Sequence, residues 1–179
     1  MTVLQTERLA LRRLSPDDAE FILDLLNQPS FLRYIGDKGV RNTEEAINYI
    51  QTGPVASYEE HGFGLYLVQL KETGASIGIC GLLKRETLPD VDIGFAFLPA
   101  YWSRGYALEA AEAMMKYGRE LFGLQRIVAI TSLENESSIK LLEKLGMKFE
   151  GLIKLGDDER EVRLFGTSAG SAGILPAAT

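Results

Sequence analysis

The sequence predicts a single α/β domain built on a mixed sheet with helices on both faces. Two observations support this fold class. Stretches with alternating apolar residues give way repeatedly to stretches with a helical apolar period, and the resulting order is strand, two helices, three strands, helix, strand, helix and two strands. The length of 179 residues suits one domain with its own core.

The N-terminal third begins with a strand and continues with two helices. Leu9 and Leu11 alternate with polar neighbours, as in a half-buried strand. In "SPDDAEFILDLL", which starts at residue 15, a serine, a proline and an aspartate at the fourth position form a capping pattern that predicts a helix start. Asn42, with Glu45 three residues later, predicts the start of a second helix.

The middle of the chain predicts three strands. "GLYLVQL" (64–70) and "IGICGLLKR" (77–85) are joined by a turn-forming "KETGAS", and "VDIGFAFL" (91–98) follows Pro89. These strands contain Gly78, Gly81 and Gly94. Glycine inside a strand usually marks a bulge or a close backbone approach.

A helix follows the loop "WSRGYA", then a strand at "QRIVAIT" (125–131), a helix from a cap at Asn135 to Gly146, and a last hairpin. We expect residues 1–165 to form the domain and the uncharged residues 166–179 to form a flexible C-terminal tail. The helix after the loop should bury one face, formed by Ala107, Ala111, Met114, Gly118 and Leu121.

Composition excludes several classes of function. The chain has 19 Lys and Arg against 25 Asp and Glu, a net charge of −6, which argues against a nucleic-acid partner. The single cysteine, Cys80, forms neither an internal disulfide nor a zinc site, so we expect no metal and a reducing, cytoplasmic location. The N-terminus lacks the apolar core of a signal peptide, and no apolar run approaches a membrane span. We expect a monomer or homodimer with no membrane partner.

The loop "SRGYA" (103–107) stands at the mouth of the alanine-rich helix. A helix N-terminus offers unpaired N–H groups and the positive end of its dipole, Gly105 allows close backbone approach, and Arg104 adds a cation, so the loop is a candidate phosphate site. The alternative is an ordinary surface turn. The loop matches neither the phosphate-loop pattern nor the three-glycine dinucleotide fingerprint.

"VDIGFAFLPAYWSRGYALEAA" followed by "NESSIKLLEKLGMKFEG" resembles the acetyl-coenzyme A (acetyl-CoA) binding core of the GNAT N-acetyltransferases, and "TERLALRRLSPDDA" is similar to the opening of their ribosomal-protein-alanine (RimJ/RimL-like) subgroup. The resemblance covers residues 4–165. It implies a mostly antiparallel sheet, splayed between strands 91–98 and 125–131, where the cofactor's pantetheine arm fits. It also implies that the pyrophosphate lies on the backbone of Ser103, Arg104, Gly105, Tyr106 and Ala107.

The same resemblance assigns catalytic roles. A backbone N–H around Phe97 or Leu98 would bind the carbonyl. Leu142 stands where many members have the tyrosine that protonates the thiolate, so that acid is absent. Asn135 matches a residue that holds the pantetheine amide, and Ser138 one that faces the sulfur; a helix cap and a small polar residue are the alternatives.

For two further residues, Asp92 and His61, the sequence allows either a role in the site or an ordinary one. Asp92 occupies the acidic position expected of a general base, the alternative being a solvated carboxylate at a strand edge. His61 either lines the acceptor cleft or is an exposed loop residue, and Cys80 is expected to be a small buried hydrophobe.

The acceptor side corresponds to "SFLRYIGDKGVRNTEEA", where Phe31 and Tyr34, with Arg33 and Ile35 beside them, are candidate lining residues. These residues are compatible with three alternative functions, of which the first is the leading one. The first is transfer of acetyl from acetyl-CoA to a primary amine, such as a protein N-terminal α-amine. The second is acetylation of a small amine (a polyamine, an amino acid or an antibiotic), and the third is a non-catalytic acyl-CoA binding module.

Overall fold

The structure is a computed structural model that describes residues 2–156 and 160–167. Eight strands form one sheet in the order β1-β2-β3-β4-β5-β6-β8-β7. Every neighbouring pair is antiparallel except β5 and β6, which are parallel, so the mixed and mostly antiparallel sheet is confirmed. The strands are β1 (Thr2–Gln5), β2 (Leu9–Arg13), β3 (Leu65–Leu70), β4 (Ser76–Leu83), β5 (Asp92–Phe97), β6 (Val128–Ser132), β7 (Lys148–Leu155) and β8 (Arg160–Gly166).

Six α-helices occupy the described residues: α1 (Ala19–Leu26), α2 (Pro29–Tyr34), α3 (Thr43–Ile50), α4 (Ala56–His61), α5 (Tyr106–Phe122) and α6 (Glu136–Lys144). The predicted start signals are present. Ser15 and Asp18 form a reciprocal capping box around a 3₁₀ turn that leads into α1, and the Asn42 side chain accepts from the backbone N–H of Glu45. Asn135 likewise accepts from the amide of Ser138 at the start of α6.

Three elements were not predicted: β1, α2 and α4. The four residues of β1 are too few to show a clear alternation, and they pair with β2 at the edge of the sheet. Between α3 and α4 the chain passes through a π-helical turn, Gln51–Val55, that contains Pro54. A proline inside a helical pattern normally ends the helix, but the wider π turn lets it continue into α4.

Helices cover both faces of the sheet, as predicted. In β3, Tyr66 and Val68 pack on the face that carries α5, whereas Leu67 between them packs on the opposite face with α1 and α3. This alternation follows from the two-residue repeat of a strand. The sheet is therefore the middle layer of three.

Leu121 was expected on the inner face of α5 and is instead 63% exposed. The inner face drifts as the helix advances from Ala111 through Met114 to Gly118, and Phe122 takes the inward position at its end. Phe122 meets the ring of Phe63 edge-on at 5.1 Å. The prediction for Leu121 was wrong because residues three and four positions beyond Gly118 are both compatible with one helical face.

The glycines within the strands mark close approaches, as expected. A Cβ on Gly81 would lie 1.9 Å from the carbonyl oxygen of Gly64, and one on Gly78 would lie 2.6 Å from the carbonyl oxygen of Ala96. No side chain fits at either place. Because glycine has no Cβ, the backbones of β3, β4 and β5 can lie close together at these positions.

The sheet opens between β5 and β6. The two strands share one registered pair, Asp92 with Val128, next to a hydrogen bond from the Val128 amide to the Val91 carbonyl. Toward their carboxyl ends the strands separate, whereas β4–β5 and β6–β8 remain paired along their lengths. The separation leaves one side of β5 without a partner strand.

The ordered part of the domain extends slightly beyond residue 165. Gly166 belongs to β8, and Thr167 donates its amide to the Ile127 carbonyl at 3.0 Å while its hydroxyl accepts from the Ile127 amide. The predicted boundary thus lies at least two residues too early, and the rest of the proposed tail, 168–179, is outside the described residues. Within the described ranges, no helix is long and apolar enough to cross a membrane.

Candidate active site

A cavity of about 690 Å³ occupies the opening between β5 and β6 and extends to α2 and α3. Most of the predicted site residues come together around it, although the first and last of them lie more than a hundred positions apart in the sequence. Leu98 and Arg104 are not among its lining residues. Those that line it are Phe31, Tyr34, Asp92, Phe97, Ser103, Gly105, Tyr106, Ala107, Asn135 and Ser138.

The loop at one end of the cavity has the geometry of an anion cradle. Gly105, the residue before α5, has a φ of +81°, and Ser103 has a φ of +62°, which is uncommon for a residue with a side chain. The first helical hydrogen bond runs from the Glu109 amide to the Gly105 carbonyl, and no side chain caps the preceding amides. The N–H groups of residues 106–108 therefore point, unpaired, out of the helix start.

An ion pair from the turn between β1 and β2 fixes this loop. Arg8 binds the Glu109 carboxylate at 2.7 Å, donates to the Arg104 carbonyl at 3.0 Å and stacks on the Tyr106 ring at 4.3 Å. Thr6 and the Arg8 amide also donate to Glu109. Burial alone would raise the pKa of Glu109, but these hydrogen bonds hold it below its ordinary value. Sequence reasoning missed Thr6 and Arg8 as parts of the site.

The free side of β5 offers backbone groups to the cavity. The Leu98 amide donates to the Ile77 carbonyl of β4 at 2.9 Å, so it is not available to bind a carbonyl. Hydrogen bonding alternates along an antiparallel pair, and Phe97 and Phe95 therefore direct their N–H groups away from β4, into the opening. Trp102, which is 45% exposed, donates its indole N–H to the Phe97 carbonyl at 2.8 Å.

On the opposite wall, α6 and β6 contribute hydroxyl and amide groups. The Asn135 oxygen caps α6 through the Ser138 amide at 3.3 Å, which leaves its NH₂ group for other partners. Ser138 is partly buried. Two buried side-chain oxygens in the described residues have no hydrogen-bond partner, Asp92 Oδ2 and Ser132 Oγ, and both residues line the cavity. Buried polar atoms without partners are rare and mark places where a ligand can bind.

The comparisons with known proteins agree with this geometry. Residues 8–148 match the family described as "Acetyltransferase (GNAT) domain". The chain belongs to the GNAT acetyltransferase family. It is 32% identical over 154 residues to the uncharacterized N-acetyltransferase YoaA of Bacillus subtilis (strain 168), with 85% of this chain and 86% of that protein covered.

Solved structures give the same result for the GNAT fold. An acetyltransferase from Agrobacterium tumefaciens str. C58 superposes with a TM-score of 0.79 at 27% identity, covering 92% of this chain and 93% of its own. RimL, a ribosomal α-N-protein acetyltransferase solved with coenzyme A, superposes with a TM-score of 0.73 at 16% identity, covering 93% and 97%. The second likeness shows the fold alone. The family match and the relative YoaA show that this GNAT protein is an acetyl-CoA-dependent N-acetyltransferase.

Leu142, at the position where many GNAT members have a tyrosine, is buried. Leu142 is 1% exposed and belongs to the core on the α5 face while it forms part of the cavity wall. It offers no proton. Ser138, one turn earlier on α6, also lines the cavity and carries a hydroxyl, as does its neighbour Ser137.

Asp92 is not a solvated carboxylate at a strand edge, because it is only 1% exposed. Its Oδ1 accepts from the Arg85 guanidinium at 2.9 Å, and its Oδ2 has no partner. Burial raises the pKa of Asp92 above its ordinary value, although the nearby Arg85 opposes the shift. A carboxylate with a raised pKa is a stronger base than an exposed one.

The remaining candidates divide between the cavity and other places. Phe31 and Tyr34 of α2 line the acceptor end with Ile35, whereas Arg33 is exposed and lies 3.9 Å from Glu134. His61 ends α4 and stacks on Phe63, and it is not among the lining residues. Cys80 is fully buried, and its burial raises the pKa of the thiol, as expected of a small hydrophobe.

Proposed function

We propose that this GNAT enzyme acetylates a primary α-amine, with a protein N-terminus as the leading acceptor, and that Asp92 is its general base. The observation that carries the proposal is the placement of two complementary ends in one cavity. An anion cradle at Gly105 suits the pyrophosphate, and a buried carboxylate oxygen without a partner lies at Asp92, at the opposite end of β5.

The cofactor residues fit acetyl-CoA. The amides of residues 106–108 provide donors for the pyrophosphate, and the free side of β5 provides the amides of Phe95 and Phe97 for an extended arm. The NH₂ group of Asn135 faces the same channel from α6. Acetyl-CoA supplies the activated acetyl group. The backbone of β5 and the side chains of α6 hold it between them.

The acceptor chemistry favours an α-amine. A free α-amine has a pKa of about 8 and a lysine about 10.4, so an α-amine needs less help to lose its proton at neutral pH. Asp92 Oδ2 accepts that proton as the nitrogen bonds to the acetyl carbon and the carbon–sulfur bond breaks. The hydroxyl of Ser138 donates a hydrogen bond to the departing thiolate, which takes up a proton from solvent, and Asp92 releases the proton that it accepted to solvent.

Release of free thiol from acetyl-CoA in the presence of N-terminal peptides, lysine-containing peptides blocked at the N-terminus and small amines tests this function. We expect thiol release with free α-amines and a rise in melting temperature on binding acetyl-CoA. Gly105→Glu, which places a carboxylate in the anion cradle, should remove both. Thermal stabilisation without thiol release from any amine would instead support a binding module.

A further inference from the structure

The acceptor end of the cavity has a charge opposite to that of the protein. The chain carries a net charge of −6, yet Asp92 is the only carboxylate among the described residues that line the cavity. The cationic lining residues are Lys38, Arg85, Lys140, Lys144 and Arg160. Lys140 and Lys144 lie on α6 beside the cofactor channel, whereas the other three surround the acceptor end.

Three separate segments place cations at the acceptor end. Lys38 lies on the loop between α2 and α3, Arg85 on the loop between β4 and β5, and Arg160 at the start of β8. Arg160 donates to the Ile35 carbonyl at 3.0 Å, which fixes β8 against the segment that carries Lys38. The guanidinium of Arg160 also lies beside this segment, since a Cβ on Gly36 would be 3.6 Å from Arg160 Nη1. Desolvation of its amino group and the charges of Arg85 and Arg160 lower the pKa of Lys38, although the residue as a whole is exposed.

Two of these cations have donors without a protein partner in the described residues. No carboxylate in the described part of the chain pairs with Lys38. Arg85 uses its Nε for Asp92 Oδ1, and its two terminal nitrogens have no partner in the described residues. Beside them, Asp92 Oδ2 is buried and unpaired. One open hydrogen-bond acceptor thus lies next to a group of open cationic donors.

We propose that the acceptor of this enzyme carries a carboxylate close to its reactive amine, and that Lys38 and Arg85 bind that carboxylate while Asp92 receives the amine. The complementary charges fit the two ends of such a molecule. The carboxylate can belong to a free amino acid or to an acidic side chain near a peptide N-terminus. A polyamine, which has only cationic groups, is disfavoured by the same cations. The inference rests on the proposed acetyltransferase function and specifies its substrate class.

Thiol release with matched acceptors distinguishes the possibilities. One pair is an α-amino acid and its α-amide, and the other is an alanine-starting peptide with glutamate or glutamine at its second position. Since a hydrogen bond to a charged group contributes about 1.5–3 kcal/mol, we expect the carboxylated member of at least one pair to have a kcat/KM about 10- to 100-fold higher. The pair that shows the preference identifies the source of the carboxylate.

Variants connect the preference to the site. Lys38→Met should reduce the ratio of kcat/KM for the carboxylated acceptor over that for its neutral partner about tenfold, because it removes one charged contact. Lys38→Arg should keep the preference. The matched control is Lys116→Met, since Lys116 is an exposed lysine on α5 with no role in the cavity. Both lysines are exposed, so the variants should melt at the wild-type temperature.

Each contrary outcome has a distinct meaning. Equal kcat/KM values for both members of each pair, or an equal loss for both in Lys38→Met, would overturn the carboxylate inference while the acetyltransferase function stands. No thiol release from any acceptor would overturn both.

Discussion

Gly105→Ala is the sharpest test of the anion cradle, because the same helix supplies a matched control at its other end. Gly105 precedes α5 with a φ of +81°, and a Cβ there would lie 3.3 Å from Arg8 Nη2. Gly123 follows α5 with a φ of +63°, and a Cβ there would meet nothing within 4 Å. Alanine strains the backbone at both positions, but only the first lies in the proposed pyrophosphate site.

The two substitutions should therefore cost similar stability and differ in binding. A left-handed conformation costs a residue with a side chain about 1–2 kcal/mol, which for a domain of this size lowers the melting temperature by about 2–8 °C. At Gly105 the shifted backbone also weakens a hydrogen bond to a charged phosphate oxygen. A loss of about 1.5–3 kcal/mol there raises the Kd for acetyl-CoA about 10- to 100-fold.

Thermal unfolding with and without acetyl-CoA measures both effects. At a concentration of about 100 times the wild-type Kd, binding stabilises the wild type by about 2.7 kcal/mol. The same concentration should stabilise Gly105→Ala by only about 0.4–1.4 kcal/mol and leave Gly123→Ala at the wild-type increment. If acetyl-CoA stabilises the two variants equally, the loop does not bind the pyrophosphate and the cofactor assignment is wrong.

Three other substitutions test the site and its scaffold. Ser138→Ala should lower kcat about 10-fold or more with little change in the Kd for acetyl-CoA, and an unaltered kcat in steady-state kinetics would remove the serine from the mechanism. Burial raises the pKa of Asp92 above 3.8, so its ionised form opposes folding as pH rises; Asp92→Asn should abolish thiol release yet gain unfolding free energy relative to the wild type between pH 4 and pH 7 in urea titrations. If the difference in unfolding free energy between Asp92→Asn and the wild type did not change with pH, the raised pKa of Asp92 would be contradicted. Gly81→Ala, whose Cβ would lie 1.9 Å from a neighbouring carbonyl oxygen, should cost about 3 kcal/mol of unfolding free energy, whereas Gly53→Ala, in open space, should cost little.

The loop and helix that we propose for the cofactor could be located from the sequence because their signals are local. "SRGYA" contains both the glycine that adopts a positive φ and the start of the helix that supplies the amides, and Asn135 caps α6 three residues before Ser138. Each signal needs only a few consecutive residues. The order of the elements then follows from apolar periodicity, which also gave the strands on either side of the opening.

The acceptor end was not predictable in the same way. Lys38, Arg85 and Arg160 lie on three segments that are far apart in sequence, and each by itself reads as an exposed cation near a loop. The burial of Asp92 was equally hidden, because a strand-edge position in the sequence does not show that β6 and a neighbouring loop cover it. Net charge also misleads here, since the sum over the chain is negative while the described residues of the cavity wall carry more cations than carboxylates.

The stretch "TERL" near the N-terminus could be recognised in the sequence, but its contacts could not be predicted from it. In the sequence it contributed only a likeness to one GNAT subgroup, without a physical role. In the structure, Thr6 and Arg8 bind Glu109 on α5, and Arg8 also binds the carbonyl of Arg104, so the turn between β1 and β2 holds the start of α5. A glycine with a positive φ leaves a loop free to adopt several conformations, and this ion pair restricts that freedom before any ligand binds. The N-terminal segment therefore supports the proposed acetyl-CoA site through its contacts, although none of the described residues before Leu25 lines the cavity.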